Sequence, residues 1–170
     1  MLILVGYAGS GKSSLAKRLA KVLGVGYVDT DTLVEQSEGA TIADIFHYEG
    51  EEYFRRAERQ ALERLVDEDY RGIVATGGGL PAWGDNMECL NSIGTTIYLK
   101  RSPEQILSRL SAYGREKRPM FRGKSDEELL QFMHEHLAQR ESYYAKSHIV
   151  VDCNTMGDAE VVNYIVKSVK

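Results

Sequence analysis

Short apolar runs alternate with longer amphipathic stretches along this chain. The runs at 2–5, 26–29, 73–76, 95–99 and 148–152 read as strands, and the segments between them read as helices. The runs are too uniformly apolar for a sheet with one wet face, so the pattern predicts an α/β fold whose mainly parallel sheet is covered by helices on both sides. Ligands of such sheets bind beyond the carboxyl ends of the strands. Pro81, Pro103 and Pro119 all fall between periodic segments, and no repeat or low-complexity tract interrupts the chain, so one domain over 1–170 is expected.

One stretch breaks the periodicity. Residues 111–124 lack an apolar stripe, contain Gly114, Pro119 and Gly123, and carry Arg115, Lys117, Arg118, Arg122 and Lys124, which predicts a mobile basic flap over a site. The next helix starts sharply: Ser125-Asp126-Glu127-Glu128 is a capping box, in which the serine hydroxyl and the glutamate three residues on satisfy each other's orphan backbone donors. Its apolar stripe reads Leu130, Met133, Leu137 and Tyr144, and Arg140 falls on that stripe. A buried guanidinium needs an anion, either a protein carboxylate or an anionic ligand. His134 and His136 point to different helix faces and do not form a metal pair.

The chemistry concentrates at two strand ends. Gly6-Tyr7-Ala8-Gly9-Ser10-Gly11-Lys12-Ser13 matches G-x-x-x-x-G-K-S directly after the first strand and directly before a helix over 12–23. Glycines there let successive backbone N–H groups turn inward around a polyphosphate, and the helix N-terminus adds positive potential. Gly9, Ser10, Gly11, Lys12, Ser13 and Ser14 are therefore the expected ATP-binding set, with Lys12 bridging the β and γ phosphates and Ser13 offering its hydroxyl to Mg²⁺. A dinucleotide fingerprint is excluded, because its third glycine would have to stand at Ser14. After the second strand, Asp29-Thr30-Asp31 brings two carboxylates to the same sheet edge, one suited to the Mg²⁺ side and one to the proton of an acceptor hydroxyl. Asp31 can alternatively be the N-cap of a helix starting at Thr32.

Charge and cysteine content narrow the class. The formal net charge of −4 speaks against a nucleic-acid surface, and no apolar run approaches the roughly 20 residues of a membrane span. Cys89 and Cys153 are too few and too far apart for a disulfide framework or a zinc site, and read as buried small hydrophobes. The chain runs from Leu2 straight into the glycine loop, which leaves no room for a signal peptide and sets the expectation of a cytoplasmic protein.

Taken in order, the phosphate loop, Asp29-Thr30-Asp31, Ile42-Ala43-Asp44-Ile45-Phe46, Gly50-Glu51-Glu52-Tyr53-Phe54-Arg55-Arg56, Thr76-Gly77-Gly78-Gly79, Arg118-Pro119 and Arg140 resemble the shikimate kinase family along nearly the whole chain. The resemblance implies an α/β/α three-layer fold of the P-loop, nucleoside-monophosphate-kinase-like type, with a five-stranded parallel sheet of order 2-3-1-4-5. It also implies a lid at about 111–124 and a substrate-binding helical segment at about 31–64. The implied reaction is ATP-dependent phosphorylation of the shikimate 3-hydroxyl on the route to chorismate and the aromatic amino acids, in a cytoplasmic monomer using Mg²⁺. On that resemblance, Lys12, Asp31 and Arg118 are catalytic, and Arg56 and Arg140 clamp the substrate carboxylate. Gly77, Gly78 and Gly79 line the substrate with Phe46 and Phe54, Asp29 joins Ser13 at the metal, and Arg109 lies against the adenine. Periodicity alone treats two of these differently: it places Arg56 on the solvent side of its helix, opposite Phe54, Ala57, Ala61 and Leu65, and reads 77–79 as a flexible turn. The sequence departs from the family at Ala8, where Met or Pro is usual. Rival readings are a gluconate or nucleoside-monophosphate kinase of the same fold and a non-catalytic nucleotide-binding module; the 77–79 motif with Asp31 disfavours the former, and the intact set of Lys12, Ser13, Asp29, Asp31 and Arg118 the latter.

Overall fold

The structure is a computed structural model that describes residues 1–169. Its strands are β1 (Leu2–Val5), β2 (Tyr27–Asp29), β3 (Ile73–Ala75), β4 (Thr95–Lys100) and β5 (Ile149–Asp152), each within one residue of the expected limits. They form one sheet of order β2-β3-β1-β4-β5, parallel throughout, with Leu2 opposite Ile73 on one side and Thr95 on the other. The helices between them are α1 (Lys12–Leu23), α2 (Thr30–Glu38), α3 (Ile42–Tyr48), α4 (Glu51–Asp67), α5 (Asn86–Ile93), α6 (Pro103–Arg109), α7 (Ala112–Glu116), α8 (Asp126–Tyr144) and α9 (Asp158–Ser168).

Strand alternation divides the core into two layers. Leu4, Ile73, Ala75, Ile97, Leu99 and Val151 face one side, where Leu15 and Leu19 of α1 and Val161 and Ile165 of α9 cover them. Ile3, Val5, Val74 and Tyr98 face the other, packed under Leu62 and Leu65 of α4, Leu90 of α5 and Met133, Leu137 and Tyr144 of α8. Each buried leucine contributes about 1.5–3 kcal/mol relative to an exposed one, and continuous burial on both faces is why these strands read as apolar runs. Cys153 is fully buried as expected, whereas Cys89 is only half-buried.

Two helical details differ from the sequence expectation. In α8 the buried stripe begins at Leu129 and continues through Met133, Leu137 and Tyr144, leaving Leu130 on the flank. In α4 the buried face includes Arg55, Glu58 and Leu62 besides Phe54, Ala57, Ala61 and Leu65. A small separate cluster of Val34, Ile45, Phe54, Ala57 and Ala61 ties α2, α3 and α4 together beside the sheet.

The segment over 111–124 is also more ordered than its composition suggests. Ser111 caps α7 by accepting from the Gly114 N–H at 3.0 Å, Pro119–Phe121 forms a 3₁₀ turn, and Phe121 is 1% exposed inside the main core. One buried aromatic gives this flap a fixed foot. Capping then restarts the chain as α8, where the Ser125 hydroxyl accepts from the Glu128 N–H at 3.2 Å and Glu128 accepts from the Ser125 N–H at 2.8 Å.

Candidate active site

The phosphate loop leaves β1 and enters α1 through Gly11, whose φ of +95° lies in the left-handed region that glycine adopts without strain. That turn leaves the first N–H groups of α1 unbonded and facing outward, which makes an anion cradle. Lys12 is 7% exposed and folds back on the loop, donating 2.8 Å hydrogen bonds to the carbonyls of Gly6 and Tyr7. Burial lowers its pKa to about 8 against the pull of Asp31 and Asp29. The loop is braced from below by a residue that sequence reasoning missed. Arg101, 3% exposed, donates to the carbonyl of Ser10 at 3.0 Å and of Cys153 at 2.8 Å. A lone arginine after an apolar strand gives no sequence signal of this role.

The two acids divide differently from the capping alternative. Helix α2 begins at Thr30, so Asp29 is its N-cap, accepting the Asp31 N–H at 3.0 Å, and Asp31 lies in the first turn with its carboxyl free of that duty. Asp29 also accepts a short hydrogen bond from the Ser13 hydroxyl. The pair is an all-oxygen donor set at a helix N-terminus, of the kind Mg²⁺ takes together with phosphate oxygens and water. Among the described residues no cluster of three or more His, Cys, Asp or Glu side chains is placed to hold a metal. Burial, then the charge of Asp29, raises the Asp31 pKa to about 6 in spite of Lys12.

The glycines after β3 are set by close approach. A Cβ on Gly77 would stand 2.6 Å from the Asp31 carboxylate and 2.7 Å from that of Glu58, and a Cβ on Gly79 would overlap the Arg55 guanidinium. Gly77 N–H donates to the Thr30 hydroxyl at 2.8 Å, and Gly78 O accepts from the Tyr144 hydroxyl at 2.6 Å. This loop is a packed wall and not a flexible turn.

Arg55, 6% exposed, holds Glu58 at 2.6 Å and lies over the Phe54 ring at 5.2 Å, which puts a buried cation against Gly79. Arg56 does not reach the site. Its side chain is 58% exposed on the outer face of α4 and pairs with Glu52 at 2.9 Å, because one residue along a helix turns the side chain by about 100°. The geometry does not bear out the expected place of Arg56 at a carboxylate clamp; Arg55 is the arginine of this helix that lies against the glycine loop. The missed signal was Leu62: including it widens the apolar stripe until Arg55 and Glu58, opposite charges three residues apart, fall inside it. Glu58 is fully buried with one carboxylate oxygen unbonded, and burial raises its pKa to about 7 despite the Arg55 charge.

Arg140 does face inward, half-buried, and its charge is felt at Tyr7, Lys12, Glu58 and Tyr144. Among the described residues it makes no ion pair within 4.0 Å. On the nucleotide side, Arg118 donates to the Gly114 carbonyl at 2.7 Å, and burial lowers its pKa. Arg109 pairs with Asp158 at 2.8 Å beside the loop. A cleft of about 360 Å³ runs from Ser13 and Ser14 past Asp29, Asp31, Gly77 and Gly78 to Arg109 and Arg118. Phe46 and Phe54 stack with ring centroids 4.8 Å apart in the small α2–α4 cluster, outside the lining of that cleft.

The arrangement is a polyphosphate cradle and a carboxylate, followed by two arginines suited to an organic acid. The sequence model of the shikimate kinase family matches residues 8–170. The chain belongs to the shikimate kinase family. A shikimate kinase of Parabacteroides distasonis is 40% identical over 156 residues, covering 91% of this chain and 88% of that protein. The crystal structure of the shikimate kinase from Bacteroides thetaiotaomicron superposes with a TM-score of 0.89 at 29% identity, over 99% of this chain and 97% of the other. The shikimate kinase of Acinetobacter baumannii, solved in complex with shikimate, gives 0.87 at 30% identity, over 99% and 91%. The strand order of the present chain is the expected one, and its fold is that of the nucleoside-monophosphate-kinase-like P-loop proteins.

Proposed function

We infer that this protein transfers the γ-phosphoryl group of ATP to the 3-hydroxyl of shikimate, giving shikimate 3-phosphate and ADP. The observation that carries the substrate side is the meeting of the Arg55–Glu58 pair with Gly79, alongside an inward Arg140 that has no protein carboxylate to balance it among the described residues. An anionic carboxylate is the ligand that such a pair of guanidinium groups fits. Relatives that are shikimate kinases over nearly the full length favour this reading over gluconate or nucleoside monophosphates, and over a silent nucleotide-binding module.

In the proposed arrangement ATP lies along the phosphate loop, and Lys12 exchanges its bonds to the Gly6 and Tyr7 carbonyls for the β and γ phosphates. Ser13 and Asp29 would hold Mg²⁺, whose charge offsets that of the phosphate oxygens. Gly9, Ser10, Gly11 and Ser14 complete the cradle, and Arg109 lies on the adenine side. Arg55 and Arg140 take the carboxylate of shikimate, the backbone of 77–79 meets the substrate, and Asp31 orients the attacking hydroxyl and accepts its proton as the oxygen–phosphorus bond forms and the bond to ADP breaks. Arg118, on the 111–124 lid, turns from Gly114 to the transferring group and excludes water. The helical segment over 31–64 forms the substrate side of a single kinase unit that we propose to act as a cytoplasmic monomer; no helix of the described residues is long and apolar enough to cross a membrane.

The test is ADP release with shikimate, gluconate, AMP and CMP supplied separately. ADP formation that depends on shikimate and is at background with the other three is expected; equal or greater turnover with another acceptor overturns the assignment.

A further inference from the structure

We propose that Asp158 is a positioning residue for the nucleotide: its carboxylate holds the Arg109 guanidinium over Gly11 of the phosphate loop and anchors it to the buried Arg101. The proposal rests on the reading of Arg109 as the arginine on the adenine side.

Three arginines from separate parts of the chain converge on this one carboxylate. Asp158 Oδ1 accepts from Arg109 at 2.8 Å and from Arg101 at 3.4 Å, and Oδ2 lies 3.8 Å from Arg18 of α1. Arg101 is the fixed member, because its other donors go to the carbonyls of Ser10 and Cys153 at 3.0 and 2.8 Å. For Arg109, Asp158 is the one hydrogen-bond and ion-pair partner among the described residues. Asp158 is also the first residue of α9, whose N-terminus stabilises a negative charge.

The geometry at the other end points to the nucleotide. A Cβ on Gly11 would stand 3.6 Å from the bonded Arg109 nitrogen, so the guanidinium rests over the turn into α1. Arg109 also lines the cleft, together with Lys12, Ser13 and Ser14. An ion pair built for stability alone would balance its charges. Here one carboxylate faces three guanidinium groups, which leaves positive charge in excess at the rim of a site for a polyanion. An arginine side chain that is free in solution loses much rotamer freedom when a ligand fixes it. With Asp158 in place that ordering is complete before the nucleotide arrives.

Calorimetric titration with ADP and with inorganic tripolyphosphate, each with Mg²⁺, on Asp158→Ala, Arg109→Ala and the double variant tests this. Asp158→Ala should weaken ADP binding by about fivefold to tenfold. Tripolyphosphate should bind at least as tightly as to the parent, because Arg101 keeps its two carbonyl bonds and the site has lost a negative charge. A merely structural loss in the phosphate loop would weaken both ligands. In the Arg109→Ala background Asp158→Ala should change ADP affinity by less than about twofold, because the residue it acts through is gone. Asp158→Asn, which keeps an acceptor oxygen without the charge, should fall between the parent and Asp158→Ala. As a second readout, the rise in melting temperature caused by ADP should shrink in Asp158→Ala while that caused by shikimate does not. Equal weakening of ADP and tripolyphosphate, an undiminished effect in the Arg109→Ala background, or an unchanged ADP affinity would overturn the proposal. If Arg109→Ala itself leaves ADP affinity unchanged, or weakens tripolyphosphate as much as ADP, the adenine-side reading fails. If Arg109→Ala weakens ADP alone and Asp158→Ala does not, only the role of Asp158 fails.

Discussion

Exchanging Arg55 and Arg56 for alanine, one at a time, tests the substrate side directly. Arg55 is 6% exposed, bonded to Glu58 at 2.6 Å and pressed on Gly79, so Arg55→Ala removes a buried charge-assisted donor from the proposed carboxylate site. Such hydrogen bonds contribute about 1.5–3 kcal/mol, and at about 1.4 kcal/mol per factor of ten the expected rise in KM for shikimate is roughly 10- to 150-fold. Stability should fall as well, because Glu58 keeps its place without its cation; breaking a buried pair costs about 3–5 kcal/mol. The loss should be at the low end and grow with pH, since Glu58 already has a pKa of about 7 and escapes part of the penalty at lower pH by holding a proton. Arg56→Ala removes only a solvent-exposed pair with Glu52, and KM for shikimate should stay within about twofold. The assay is initial-rate ADP release at saturating ATP, with urea unfolding at pH 6 and pH 8 to separate folding from binding. Replacing both partners, Arg55→Met with Glu58→Leu, should restore most of the stability and none of the affinity. Gly79→Ala, whose methyl would displace the guanidinium, should raise KM in the same direction. The reasoning is refuted if Arg56→Ala raises KM for shikimate tenfold while Arg55→Ala leaves it unchanged.

Three further outcomes are expected. Asp31 has its pKa raised from 3.8 to about 6, so the folded state binds its proton more tightly than the unfolded one; the stability this provides is complete below pH 4 and lost as pH rises through 6. Asp31→Asn should therefore be more stable than the parent at pH 7.5, by up to about 3 kcal/mol, with the gain vanishing near pH 4; an equal gain at both pH values in thermal melts counts against the buried-carboxylate account. Arg118→Ala should lower kcat by about 10²- to 10³-fold while KM for ATP changes only a fewfold; matched losses in kcat and ATP affinity would remove Arg118 from the transition state. Phe121→Ala should destabilise the fold by about 3–5 kcal/mol in urea unfolding, and a loss below 1 kcal/mol would show that the lid's foot is not packed in the core.

Local signals in the sequence carried the strand–helix alternation, the phosphate loop, the pair Asp29 and Asp31 at one sheet edge, the start of α8 at Ser125 and the inward direction of Arg140. Each of these depends on spacing within a few residues, which period, capping and glycine placement encode directly. The tertiary structure decided what long-range contacts decide. Arg55 and not Arg56 faces the glycine loop, because Glu58 neutralises it inside the buried face of α4, which only tertiary packing defines. Asp29 rather than Asp31 caps α2, because the helix begins one residue after β2 ends. Phe121 anchors a lid that looked unstructured, by packing in the main core beside Tyr7 at the phosphate loop. Arg101 and Tyr144 brace the two loops of the site across 91 and 66 residues of chain, and no local pattern marks a hydrogen bond whose partner is that far away.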